Sequence, residues 1–186
     1  FAGNISLNSG AGIEFGQAVS QTVACSGGQS LTVTPYSTFI NEAGAGGNHY
    51  LSSVKVTGIP TDCRQVDFAI NAYTDTGNSP LALFNSTSTK AVVYDNNDTF
   101  EVGIGGSGLS VTTNSPSSFT LTFNTPVALS STISKITIQS SVHSPKPCSE
   151  GGDCVIGERG PGNGIVFYIS QTPFTASNAT CNTNCR

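Results

Sequence analysis

The chain contains neither methionine nor tryptophan, and only seven cationic and eleven anionic side chains among its 186 residues. Charged residues make up 10% of the sequence, against about 25% in an average soluble protein. So few cations leave no basic footprint for nucleic acid and no polybasic patch for an anionic membrane surface. No apolar run reaches the roughly 20 residues of a membrane-spanning helix. Helical periodicity is almost missing too. A start at Phe1, with no initiator methionine and no leader-like stretch, fits either a mature product cut just before that residue or an excised fragment.

Hydroxyl and amide groups stand where charge would be: 25 Ser, 22 Thr and 15 Asn, beside 21 Gly. The net charge is only −4, and β-branched and aromatic residues are plentiful, so disorder is excluded. This is the composition of an exported, turn-rich, all-β protein.

Period-two alternation, the mark of a half-buried strand, recurs along the chain. It predicts strands at 30–34, 53–57, 65–73, 91–94, 99–104, 118–123 and 132–138, with an earlier one from Gly12 to about Ala24, bent near Gly16. Between them lie turn-forming clusters: Asn41–Asn48, Gly58–Asp62, Asp75–Pro80, Asp95–Asp98, Gly105–Gly108 and Asn114–Pro116. About eight strands so punctuated predict an antiparallel β-sandwich, Ig-like or jelly-roll-like. The sandwich is expected to span 1–141, with a linker over 142–147, where Pro145 and Pro147 flank Lys146. Residues 148–186 form a Cys/Gly-rich tail with one strand at 164–170, too small to hold a core without staples.

Six cysteines at 25, 63, 148, 154, 181 and 185 allow 15 pairings. Their spacings lack the CxxC knuckles of a zinc site, and His49 and His143 lie outside the tail cluster. Disulfides in an oxidising compartment are the expectation. Cys25 is expected to pair with Cys63, and Cys148, Cys154, Cys181 and Cys185 among themselves, as the local bridges Cys148–Cys154 and Cys181–Cys185 or in a nested arrangement.

Asp95, Asn97 and Asp98 gather oxygen donors in one short loop, which suits a calcium ion, although Asp and Asn are also ordinary β-turn residues. No other cofactor is implied. No catalytic set stands out: His49 sits in a glycine-rich stretch, there is no G-x-S-x-G elbow, and no pair of the acids is singled out by position. The run Gly157–Gly164 is neither collagen, which needs Gly at every third position, nor a phosphate loop, which needs a following helix. Asn-x-Ser/Thr sequons at Asn4, Asn85, Asn97 and Asn178 matter only in a glycosylating host.

The stretch Cys154–Tyr168, with Gly157, Gly160-Pro161-Gly162-Asn163-Gly164 and Val166-Phe167-Tyr168, resembles the G-x-x-G-P-G-G-G-x-V-F-Y opening of a module in large bacterial surface proteins, notably of actinobacteria. Residues 12–25 and 69–84 are similar to uncharacterised secreted domains that precede that module. This resemblance implies a bacterial surface location and brings no activity with it.

Together these features predict an extracellular, non-enzymatic structural subunit of a surface fibre or adhesin. It would assemble with itself or with other surface subunits by strand exchange. The short apolar segments that would supply the exchanged strands carry Ile5 and Leu7 at one end, and Ile165, Phe167 and Ile169 at the other. The alternatives are a monomeric glycan-binding module, with Tyr36, Tyr50, Tyr73 and Tyr94 as stacking faces, and an exported hydrolase.

Overall fold

The computed structural model of the chain describes residues 14–42, 46–75 and 77–143, together with the backbone of 154–159 and 165–170. The chain divides into two compact units, Phe1–His143 and Ser144–Arg186.

The first unit is an antiparallel β-sandwich. One sheet holds five strands, in the order β1 (Val19–Gln21), β2 (Leu31–Glu42), β3 (Gly46–Thr57), β8 (Ser118–Phe123) and β7 (Leu109–Ser115). The other holds four, in the order β6 (Phe100–Val102), β5 (Ala91–Asp95), β4 (Val66–Tyr73) and β9 (Lys135–Val142). Alternation decides which side chains turn inward. Val54 and Val56 on β3, Phe68 and Ile70 on β4, and Ile136 and Ile138 on β9 are all fully buried. Phe119 on β8 joins the two sheets: its ring lies 5.9 Å from Phe68 and 5.0 Å from Phe100, both on the opposite sheet. Filling such sites drives the fold, at roughly 1.5–3 kcal/mol for each large apolar side chain removed from water.

Cys25 and Cys63 are disulfide-bonded. Each sits in a one-turn 3-10 helix, Ala24–Ser26 and Thr61–Cys63. The expected pairing of Cys148, Cys154, Cys181 and Cys185 lies outside the described residues. In the second unit, β10 (Cys154–Arg159) pairs antiparallel with β11 (Ile165–Ser170), setting Phe167 opposite Gly157.

Several elements differ from the expected ones: β2 and β3 run on through most of the expected turn at 41–48, and the tail holds two strands, β10 and β11, where one was expected. The first strand is shorter, Val19–Gln21, because the chain turns into the 3-10 helix that carries Cys25. The last strand of the sandwich begins at Lys135, after a 3-10 turn over Ser130–Thr132, and runs on to Val142. Strand β7 lies in a stretch where only Leu109 and Val111 are apolar. It pairs with β8 on one side and forms the sheet's edge on the other.

Pro35 sits inside β2 without breaking it. Its carbonyl accepts the Gly16 amide at 2.6 Å, on the edge away from β3. In an extended chain the N and the C=O of one residue leave on the same edge. The missing N–H of Pro35 therefore faces outward and takes nothing from the β2–β3 ladder.

Candidate functional site

Strands β2 and β3 outrun the rest of their sheet. β1 pairs only with Leu31–Val33, and β8 only with Ser53–Thr57. Beyond those limits the two strands continue together to Glu42 opposite Gly46. The base of this two-stranded arm is tied down where the Leu51 amide donates to the Ala128 carbonyl at 2.9 Å and Tyr50 bridges to Leu129. A register shift between Tyr36 and Ser37 leaves Ser52 as the extra residue of a bulge, and such irregularities twist a ribbon.

The arm carries no charge from Tyr36 to Asn41, yet exposes large apolar groups: Phe39 is 56% exposed and Tyr36 40%. Phe39 packs against His49 across the ladder, with ring centroids 5.3 Å apart. His49 is thus a strand residue, not part of the glycine turn where the sequence puts it. Ser37, Phe39 and Asn41 share the parity of Pro35, so their backbone groups point to the same edge, which no described strand covers at these positions.

Two of the sandwich's other margins carry a side-chain hydrogen bond from a neighbouring element. The Phe100 amide on β6 donates to Thr113 Oγ1 on β7 at 2.8 Å, joining the two sheets at that side. Beside β9, the Cys25 amide donates to Ser140 Oγ at 3.0 Å. Among the described residues, no strand pairs with the outer half of β2 on the side away from β3.

The Asp95–Asp98 loop is a tight hairpin turn between β5 and β6. Asn96 and Thr99 exchange backbone hydrogen bonds, and Asn97 and Asp98 have φ of 50° and 71°. Two successive left-handed residues make this the primed turn that matches strand twist, and Asn and Asp tolerate that conformation best after glycine. The Asp98 amide donates to Asp95 Oδ1 at 2.7 Å, while Arg64 Nε and Nη2 donate to the two Asp98 oxygens at 2.8 and 2.5 Å. The Arg64 hydrogen bond holds the Asp98 carboxyl below its usual range, and burial pushes that of Asp95 above it. The oxygens a calcium ion would take from Asp95 and Asp98 already serve an amide and a guanidinium.

The outer face of the four-stranded sheet gathers polar and aromatic side chains in register. Asp67 lies between Tyr94 and Ser141, Ala69 between Val92 and Gln139, Asn71 beside Thr137, and Tyr73 beside Lys135. At one end His143 stacks on Tyr94, with centroids 3.5 Å apart, and its Nδ1 donates to buried Asp67 at 2.8 Å. Burial, then the carboxylates of Glu101, Asp67 and Asp95, push the Tyr94 hydroxyl up, so it stays protonated at neutral pH. At the other end Lys135 Nζ lies 4.6 Å above the Tyr73 ring.

Of the residues singled out from sequence, Tyr36 and Tyr50 fall on the arm, and Tyr73 and Tyr94 on the far sheet. Ile5 and Leu7 lie outside the described residues. Ile165, Phe167 and Ile169 are on β11, opposite β10. Asn85 of one sequon is exposed in a local turn, where its Oδ1 accepts the Ser88 amide at 2.5 Å and that of Thr87 at 2.9 Å. Phe39, Gln139 and Thr137 carried no signal of their own: only strand pairing sets them beside their neighbours. Comparison with known proteins finds no match, whether to a family profile, a curated protein or a solved structure.

Proposed function

We propose that this chain is an extracellular, non-enzymatic structural subunit of a bacterial surface fibre or adhesin, and that it assembles by adding a strand from another copy to the open edge of β2. The observation that carries this is the edge itself. From Tyr36 to Asn41 it has no charge and no proline, and among the described residues no strand covers it. Proteins ordinarily blunt such an edge. An added strand would gain main-chain hydrogen bonds from Ser37, Phe39 and Asn41, with side chains such as Phe39 supplying selectivity.

The terminal segments with Ile5 and Leu7, or with Ile165, Phe167 and Ile169, are the proposed donors. β11 already has one edge taken by β10, which favours the first segment. Donor and acceptor are different surfaces of one subunit, so the contact propagates instead of closing.

Electron microscopy and light scattering of the purified chain test this. The native protein is expected to form filaments or high-mass oligomers. Ser37→Pro should abolish them while the far-ultraviolet circular dichroism stays that of the native sandwich, because the lost amide faces outward as that of Pro35 does. Deleting residues 1–8 should have the same effect if that segment is the donor. A chain that stays monomeric in every condition tried overturns the proposal.

A further inference from the structure

We infer that the N-terminal segment of each chain caps the outer half of its own β2, and that assembly exchanges this segment between copies. The inference rests on the reading of the β2 edge as a strand acceptor, and names what occupies that edge before a second copy arrives.

The chain ahead of β1 is anchored at the foot of the edge. β1 runs antiparallel to β2, with Val19 opposite Val33 and Gln21 opposite Leu31. Following β1 back toward the N-terminus therefore moves outward along β2, and the Gly16 amide reaches the Pro35 carbonyl. There the chain turns: the Gln17 amide donates to the Glu14 carbonyl at 3.2 Å, and Gly16 takes a φ of 85°. Glycine adopts that left-handed conformation at no steric cost. Phe15 packs against the core and holds the turn in place. The next outward-facing residue of β2 is Ser37, two positions past Pro35, or roughly 7 Å along an extended strand.

Residues 1–13 suit the edge in pattern and length. Ile5 and Leu7 are two positions apart, the spacing of Ser37 and Phe39. Laid antiparallel to β2, as β1 is, the segment sets Leu7 opposite Ser37, Ile5 opposite Phe39 and Gly3 opposite Asn41. Directly opposed residues share a face of the sheet, so both apolar side chains fall on the Phe39 face, with Asn4 and Ser6 on the other. No charged side chain and no proline in the segment opposes pairing. Between Leu7 and Glu14 lie Asn8–Ile13, six residues that include Gly10 and Gly12. A glycine-rich tether of that length reaches roughly 13 Å on average, enough for the step from Pro35 to Ser37.

Tethering decides which copy wins. A segment on a short flexible linker meets its site at an effective concentration on the order of millimolar. At micromolar chain concentrations the segment of another molecule is about a thousandfold more dilute. The lone chain therefore caps itself, and a filament forms by trading one capping strand for an identical one, as in domain swapping. Release must come first, so assembly starts slowly and is hastened by concentration.

Hydrogen exchange on the whole chain, diluted until it is monomeric, tests this. The amides of Ser37, Phe39 and Asn41 should be protected. Deleting residues 1–8, or combining Ile5→Asp with Leu7→Asp in the full chain, should speed their exchange at least tenfold while the circular dichroism stays native. A synthetic peptide of residues 1–8 should restore protection to the deleted chain, and bind the intact chain at least tenfold more weakly. Fast exchange in the native monomer, exchange indifferent to both changes, or equal binding of the peptide by both chains would each overturn self-capping. Filament formation is read separately on concentrated samples: a protected monomer that never polymerises overturns the assembly reading alone, and filaments from an unprotected one overturn self-capping alone.

Discussion

The ring of Phe39 rests on the bare backbone of Gly47, so close that a side-chain carbon at that position would collide with it. The two residues lie on the same face of the β2–β3 arm, with His49 beside them. Gly47 is therefore the seat of the arm's most exposed aromatic. Phe39 is 56% exposed and free to swing aside, so Gly47→Ala is expected to cost little stability, within about 1 kcal/mol. It should nevertheless displace the ring. Nuclear Overhauser contacts between Phe39 and His49 should weaken, and assembly through the open edge should weaken with them. Unchanged ring contacts would show that the arm relaxes some other way.

The disulfide is the next lever. Cys25 and Cys63 are 38 positions apart and fix the entry to β2 near the start of β4. Replacing both by Ser should lower stability by about 2–4 kcal/mol, chiefly because the unfolded chain regains loop freedom. Urea titration of the double variant, beside the native chain with and without reductant, measures this. The reduced native chain and the double variant should share one midpoint.

Asp95 and Asp98 should respond to pH with opposite signs. The folded-state pKa of Asp98 is depressed by Arg64. Its stabilisation is thus present above the ordinary carboxylate pKa, about 3.9, and is lost as pH falls through the lower, folded value. Asp98→Asn should lower the melting midpoint at pH 7 and make no difference in strong acid. High salt should shrink the effect, because the pair is solvent-accessible.

Asp95 is 1% exposed and has a raised pKa, mainly from burial. Its favourable contribution is present at low pH and is lost as pH rises through the folded value. Asp95→Asn keeps an oxygen for the Asp98 amide and removes the buried charge. It should match the native chain in acid and equal or exceed it at pH 7. A thermal-melt series across pH 3–8 separates the two behaviours.

Phe119 should be the costliest single truncation in the core. It is fully buried and touches Phe68 and Phe100 on the opposite sheet. Phe119→Ala is expected to destabilise by about 3–5 kcal/mol. Phe84→Ala, whose ring stacks on Phe123 at 6.3 Å nearer the loop at Gly108, should cost less, because that margin can settle into the space. Chemical denaturation of both variants gives the comparison.

Strand identity was readable where hydrophobic alternation is strong. Val66–Tyr73 and Ser118–Phe123 announce themselves because every second residue must meet the core. β7 was not announced. Its outer part, Thr112–Asn114, is exposed and packs nothing large, while pairing with β8 holds it extended. The outer half of β2 lies beyond the strand expected at 30–34, on the far side of Pro35. Only a knowledge of which edge Pro35 faces shows that it interrupts nothing.

The sequence by itself determined the architecture: a sparsely charged, hydroxyl-rich chain of alternating segments buries one face of each, and two such layers enclose a core. It also marked Cys25 and Cys63 as partners. What only the tertiary structure decided was which strand edges meet. Alternation is a property of one strand and specifies in from out. The neighbour of a strand is set by pairing across long separations, as Asn71 lies beside Thr137 and Pro35 beside Val54. Which part of β2 has no described neighbour is fixed only once those pairings are made.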